Sequence, residues 1–263
     1  MVDVSFAEWE QWISTFLWPF FRVSSFFLIA PIFGHSSIPP QVKLGLAAVM
    51  AMIIGPLVSV PTGVPIFSWA SFGIIVEQML VGVGLGLMLA IMLAVVQAAG
   101  EYISLQMGLG FATFFQADAG TNTVIVSRIL YMVTLLLFLS LNGHLVTIDI
   151  LIATFNTIPI GGERIETSAF EIPARYAGTV FSSGLLLALP LIAPLLIVKL
   201  TLGILNRAAP QFSVFSVGFP MSLIVGMVLL VTLMRDMGRF VQSLFREAIE
   251  WQEQLIGALA GLL

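Results

Sequence analysis

Cysteine is absent from all 263 residues. That excludes disulfides, thiolate catalysis and cysteine-ligated iron–sulfur centres. Charge is almost as scarce: Asp, Glu, Lys and Arg make up 9% of the chain, where a soluble domain carries about a quarter. The net charge of −4 is too small and too dispersed to suggest a nucleic-acid partner. The two histidines, His35 and His144, have neither a carboxylate neighbour nor a second histidine at ligand spacing, so a metal site is not expected. A glycine-rich phosphate loop with its lysine is missing, and so is a nucleophile elbow. The residues therefore indicate neither a cofactor nor an enzymatic activity. No Lys or Arg precedes Arg22, while Asp3, Glu8 and Glu10 do. This reverses the basic start of a signal peptide, so the segment is expected to stay on the mature protein. It also favours an amino terminus outside the cytoplasm.

What the chain does have is apolar length. Hydrophobic residues make up 59% and the mean hydropathy is +1.08. Uncharged runs at 44–76, 78–100, 129–148, 176–198 and 208–234 each approach or exceed the ~20 residues a membrane-crossing helix needs. A sixth candidate, 12–33, carries Arg22. Hydrocarbon offers no partner for an unpaired amide, so only helices or a closed barrel can span it. The runs are too long and too unalternating for barrel strands. An all-α integral membrane protein is expected.

Prolines punctuate the first third at 31, 39, 40, 56, 61 and 65, and each is expected to break or kink a helix. The most polar interior stretch, 161–175, divides a larger front part from a smaller back part. The back part reads as a helical hairpin with arms beginning near Tyr176 and Phe212. Its tip, around Asn206, Arg207 and Pro210, is expected to be cytoplasmic, because Lys199 and Arg207 are offset by no acid there. Beyond Arg235, Met237, Phe240, Val241, Leu244, Phe245 and Ala248 recur at three- and four-residue spacing. With acids and bases mixed on the other face, this amphipathic tail is expected to meet a partner rather than a lipid surface.

Three features carry functional expectations. Gly82, Gly86, Ala90, Ala94 and Ala98 form a row of small residues at four-residue spacing, a ridge against which another helix can pack closely. Residues 106–120 combine Met107, Gly108, Gly110, Phe111, Phe114, Phe115, Asp118 and Gly120. Paired glycines break a helix, and irregular backbone at membrane depth is tolerated only where protein buries it or it lines a cavity. These residues read either as an apolar constriction that excludes water or as a loop whose aromatics rest among headgroups. Arg22, a charge inside an apolar run, is expected to form a structural ion pair with another chain or with Glu77, Glu101 or Asp149.

Several stretches, in their order and spacing, carry a resemblance to a known family. Pro31-Ile32-Phe33-Gly34 is followed by Ile38-Pro39-Pro40-Gln41-Val42-Lys43, then Ala99-Gly100-Glu101 with Gln106-Met107-Gly108. Leu141-Asn142-Gly143-His144, Thr154-Phe155-Asn156-Thr157-Ile158-Pro159 and Leu205-Asn206-Arg207-Ala208-Ala209-Pro210 complete the set. In these the chain resembles the FliR family, an export-gate subunit of bacterial type III secretion. It departs at Leu145, where many relatives have a second histidine, and at Ala119, where many have proline. The resemblance implies a FliP-like part over 1–162, with a plug loop at 106–122, then a polar connector at 163–175 and a FliQ-like helical hairpin over 176–263. It implies assembly with FliP and FliQ, contact with FlhB and FlhA, and passage of unfolded flagellar export substrates. It also implies a place in the flagellar basal body at the bacterial inner membrane, with part of the assembly on the periplasmic side. Two alternatives stand beside it: the corresponding injectisome subunit, and a small-molecule transporter working alone. The chain shows neither the repeated halves nor the mid-helix acid of the latter.

Overall fold

The structure, a computed structural model, describes residues 6–109, 125–162, 166–208 and 218–261. Among them are seven α-helices and no strand: α1 (Phe6–Ile29), α2 (Pro40–Ile54), α3 (Trp69–Met107), α4 (Ile125–Ser140), α5 (Gly143–Thr157), α6 (Glu171–Ala208) and α7 (Phe219–Leu259). Five segments are long and apolar enough to cross a membrane: Trp9–Ile29, Pro40–Leu57, Trp69–Met107, Ser168–Ala208 and Phe219–Leu259. A sixth results if α4 and α5 are taken as one broken span.

Proline and left-handed residues decide where these helices stop. α1 ends two residues before Pro31, and Pro40 occupies the first turn of α2, where its missing N–H costs nothing. The apolar run 44–76 is not one helix. α2 gives way to a 3-10 turn at Gly55–Leu57 that contains Pro56, and α3 begins only at Trp69. The run 129–148 is likewise interrupted between Ser140 and Gly143, where Asn142 takes φ 57°, a left-handed conformation that asparagine tolerates better than most residues. Run 78–100, by contrast, lies inside the 39-residue helix α3. Pro19, Pro190 and Pro194 sit within helices.

The chain divides into two compact units. One comprises Met1–Ile91, Asn142–Tyr176 and Arg246–Leu263, and the other Met92–Leu141 and Ala177–Phe245. In the first, α1 packs on α2 and on the front half of α3. Trp18, Val23, Phe26, Phe27, Val81, Leu85 and Met88 are buried there. The end of α7 also belongs to this unit: Gln252 donates to the Leu85 carbonyl at 3.1 Å, and Tyr176 stacks on Trp251 with ring centroids 5.3 Å apart. Ala248, Leu255 and Leu259 of the same stretch are buried. In the second unit, Phe138 meets Phe245 edge to face at 5.0 Å, and Met237, Val241 and Leu244 are buried. In each unit the apolar face of the tail is therefore covered by its own chain rather than held out for a partner, which corrects the sequence expectation.

Candidate functional site: the buried arginine and the end of the third helix

Arg22 is fully buried, and its guanidinium finds neutral partners. Nε donates to Gln78 Oε1 at 2.8 Å, Nη1 to Thr154 Oγ1 at 3.1 Å and Nη2 to the Ile158 carbonyl at 2.8 Å. Phe155 lays its ring 4.2 Å from Cζ. These three hydrogen bonds form a fork to amide, hydroxyl and carbonyl oxygens, none of them the expected carboxylates. The planar guanidinium suits this, since its N–H groups diverge in fixed directions toward three separate elements. Those elements are α3, α5 and the residue that follows α5. A buried charge is tolerated where hydrogen bonds and a π face replace its water. Arg22 therefore ties α1 to α3 and α5. Sequence reasoning missed Gln78 and Thr154; the one available signal was a polar glutamine at the start of an uncharged, largely apolar run.

Three members of the row of small residues, Gly82, Gly86 and Ala98, have close neighbours on other helices. A Cβ on Gly82 would collide with the Arg22 carbonyl and with Ser25 Oγ. On Gly86 it would meet the backbone of Phe26 and Ala30 at 3.1 Å. These two glycines let α1 lie directly on α3. Ala90 and Ala94 are half-buried. Further along, Ala98 touches α6 at Gly184, whose added Cβ would fall 3.2 Å from that of Ala98. Gly100 faces the Ser127 backbone of α4 with no room for a side chain, since a Cβ there would run into Ser127 Cα.

α3 ends at Met107 by a recognisable device. Gly108 takes φ 85°, its N–H reaches back to the Leu105 carbonyl at 3.2 Å, and the Leu109 N–H reaches the Ser104 carbonyl at 3.0 Å. This pair of bonds, with glycine in the left-handed position, satisfies carbonyls that the helix end would otherwise leave unpaired. Met107 is fully buried, and its side chain fills the place where a Cβ on Gly226 of α7 would be, with Cγ, Cε and Sδ at 2.6, 2.8 and 2.9 Å from it. The ring of Phe219 covers Gly108, and Lys199 Nζ on α6 donates to Gln106 Oε1 at 3.1 Å. Two members of the expected loop, Met107 and Gly108, are thus placed. Gly110, Phe111, Phe114, Phe115, Asp118 and Gly120 lie outside the described residues. At the hairpin tip, Asn206 and Arg207 occupy the last turn of α6, Lys199 lies two turns earlier, and Pro210 lies outside the described residues.

An open groove of about 330 Å³ runs between α6 and α7, lined by Leu186, Leu187, Pro190, Leu191, Leu229 and Leu233, with Thr232 and Asp236 as its polar members. A binding site for a small polar molecule needs several convergent polar groups, which this groove does not provide. Among the described residues no cluster of His, Asp and Glu could hold a metal ion.

Residues 13–248 match the family described as "Bacterial export proteins, family 1". The chain is similar to the flagellar biosynthetic protein FliR of Escherichia coli (strain K12), 42% identical over 260 residues that cover 98% of this chain and 99% of that one. It is 40% identical to the FliR protein of Pectobacterium carotovorum subsp. carotovorum over 98% of this chain and 99% of that one. The FliR protein of Bacillus subtilis (strain 168) is 31% identical over 94% and 96%.

Proposed function

Because the chain belongs to the FliR family of bacterial export proteins, and so is a membrane-embedded component of the flagellar export apparatus, we propose that it is a core subunit of the export gate that helps form and close the pore for unfolded flagellar substrates. In this reading it assembles with FliP and FliQ, with FlhB and FlhA beside them, in the inner membrane at the flagellar basal body, part of the assembly standing on the periplasmic side. Residues 1–162 form the FliP-like part, 163–175 the connector and 176–263 the FliQ-like hairpin. It acts as a scaffold and seal, without catalysis.

The observation that carries the reading is the way α3 stops. A 39-residue helix without a basic residue runs to Met107 and is ended there by Gly108. The segment that continues from this point supplies glycines for an irregular path and Phe111, Phe114 and Phe115 for apolar bulk. An apolar constriction of this kind blocks ions by excluding water. Assembly is supported by the large apolar side chains exposed on α6 and on the first half of α7, among them Phe181, Leu186, Ile197, Ile224 and Val228. Such faces are covered either by lipid or by neighbouring subunits. The flagellar rather than the injectisome assignment is supported by near-complete overlap with flagellar relatives.

Deleting residues 110–116 tests the reading. The helices on either side keep their own packing, so the variant is expected to assemble with FliP and FliQ and to raise membrane conductance several-fold. A variant that assembles normally and does not leak would show that these residues are not the seal.

A further inference from the structure

We propose that the groove between α6 and α7 is a lipid site: it takes one acyl chain of a phospholipid whose headgroup carries both a phosphate and a primary ammonium, as phosphatidylethanolamine does. The supporting residues all belong to the second compact unit.

The groove lies where both helices change character. α7 carries no charged residue from Phe219 to Met234, and then Arg235, Asp236 and Arg239 follow in close succession. α6 is uncharged from Tyr176 to Val198, and Ser182 precedes the groove-lining Leu186 by one turn. At the end of α3, Lys199 reaches Gln106 and Gly226 faces Met107, whereas the groove pairs Leu186 and Pro190 with Leu233, Asp236 and Phe240. The two helices therefore run antiparallel, and the serine of α6 and the ions of α7 lie at the same end of the groove. That end is opposite the hairpin tip at Arg207, which assigns the lipid to the leaflet away from the tip. A groove that is apolar along its length and ionic at one mouth matches the boundary between hydrocarbon and headgroups. Its volume of about 330 Å³ suits a flexible chain entering from the open side. A helix, about 10–12 Å across, would rest on the rim rather than fill it.

Charge complementarity selects the headgroup. Asp236 lines the groove and pairs with Arg239 across one turn of α7, both side chains being largely exposed. An exposed pair of this kind contributes little to folding, so its members are available to new partners. Arg239, with Arg235 one turn before it, takes the phosphate, and Asp236 takes the ammonium. Pro190 adds an acceptor: it has no N–H, so the Leu186 carbonyl on the same helix face lacks its usual helical donor. A phosphate headgroup without an ammonium would leave Asp236 facing a like charge.

The test uses the full chain purified in mild detergent together with its partner subunits, and two probes, phosphatidylethanolamine and phosphatidylglycerol, which share the phosphate and differ in the ammonium. By native mass spectrometry the chain is expected to retain phosphatidylethanolamine several-fold over phosphatidylglycerol at equal concentration. Thr232→Trp, which fills the groove from an exposed position, should lower that retention several-fold while elution on size exclusion stays unchanged. Asp236→Asn should retain the two lipids equally, whereas Asp236→Glu should keep the preference. Equal retention of both lipids by the unmodified chain would overturn the inference, and so would full retention by Thr232→Trp. Thr232→Cys supplies the single thiol of the chain, to which a photoreactive label can be attached. In the assembled complex this label should couple to lipid; coupling to a partner subunit instead would make the occupant a protein and overturn the inference. Should Thr232→Trp fail to fold, the two Asp236 variants and the label decide.

Discussion

Arg22 shows how a single side chain can organise a helix bundle in surroundings hostile to it. Fully buried and bonded to Gln78, Thr154 and the Ile158 carbonyl, it stays charged because three acceptors and the Phe155 ring replace its hydration. Removing one acceptor leaves a charged donor unpaired, which costs about 1.5–3 kcal/mol where the donor is charged. Gln78→Leu is therefore expected to lower the thermal unfolding temperature of the detergent-purified protein clearly. Adding Arg22→Met should restore part of the loss, because an apolar pair of similar volume is easier to bury than a half-satisfied charge. A double variant less stable than Gln78→Leu alone would show that Arg22 contributes through contacts other than these hydrogen bonds.

At the scale of elements, glycine decides which helices touch, and the positions differ sharply in what they permit. Gly82 has no space for a Cβ, since the Arg22 backbone and Ser25 occupy it, whereas Gly45 and Gly73 have nothing within 4 Å of theirs. Gly82→Leu should prevent α1 from lying on α3, because a well-packed contact of backbone on backbone cannot absorb side-chain volume; overpacking alone costs about 1–3 kcal/mol. Little monodisperse protein is expected from it, while Gly45→Leu and Gly73→Leu should give near-normal yields by size-exclusion chromatography in detergent. Equal yields from all three would mean that the α1–α3 contact is not set by this glycine. The break between α4 and α5 has a related origin in Asn142, whose left-handed backbone ends one helix and begins the next within a single apolar run.

For the whole molecule, orientation in the membrane has the cleanest test. The end of α6 carries Arg207 and an exposed Ala208, with no acidic residue on its last two turns, and basic ends of helices are retained in the cytoplasm. Cysteine introduced by Ala208→Cys would be the single thiol of the chain. A membrane-impermeant maleimide should leave it unlabelled in intact cells whose outer membrane has been permeabilised, and should label it in inverted vesicles. Labelling from the periplasmic side would reverse the proposed orientation of the hairpin. The long helices α3 and α7 each contribute to both compact units, so a substitution at one end of either helix should be judged against the packing of its own unit.

Composition alone determined that this is an all-α membrane protein, because a chain with so little charge and such long apolar runs can satisfy its amides in lipid only as helices. The ordered short motifs also determined the family, since each fixes residues that a generic apolar helix would leave free. Gly82 and Gly86, at four-residue spacing, are where α1 approaches α3, and Gly108 marked the end of α3 by local geometry that needs no tertiary information. What covers each feature was not legible. The acceptors of Arg22 lie 56, 132 and 136 residues away along the chain. A neutral fork and an ion pair look alike in a sequence that contains both glutamines and glutamates. The amphipathic tail had the right face for a partner, but hydrophobic periodicity says only that a face is covered, and tertiary structure supplied its own chain as the cover. Gly226 was one more glycine in an apolar run until folding set Met107 in the space it leaves.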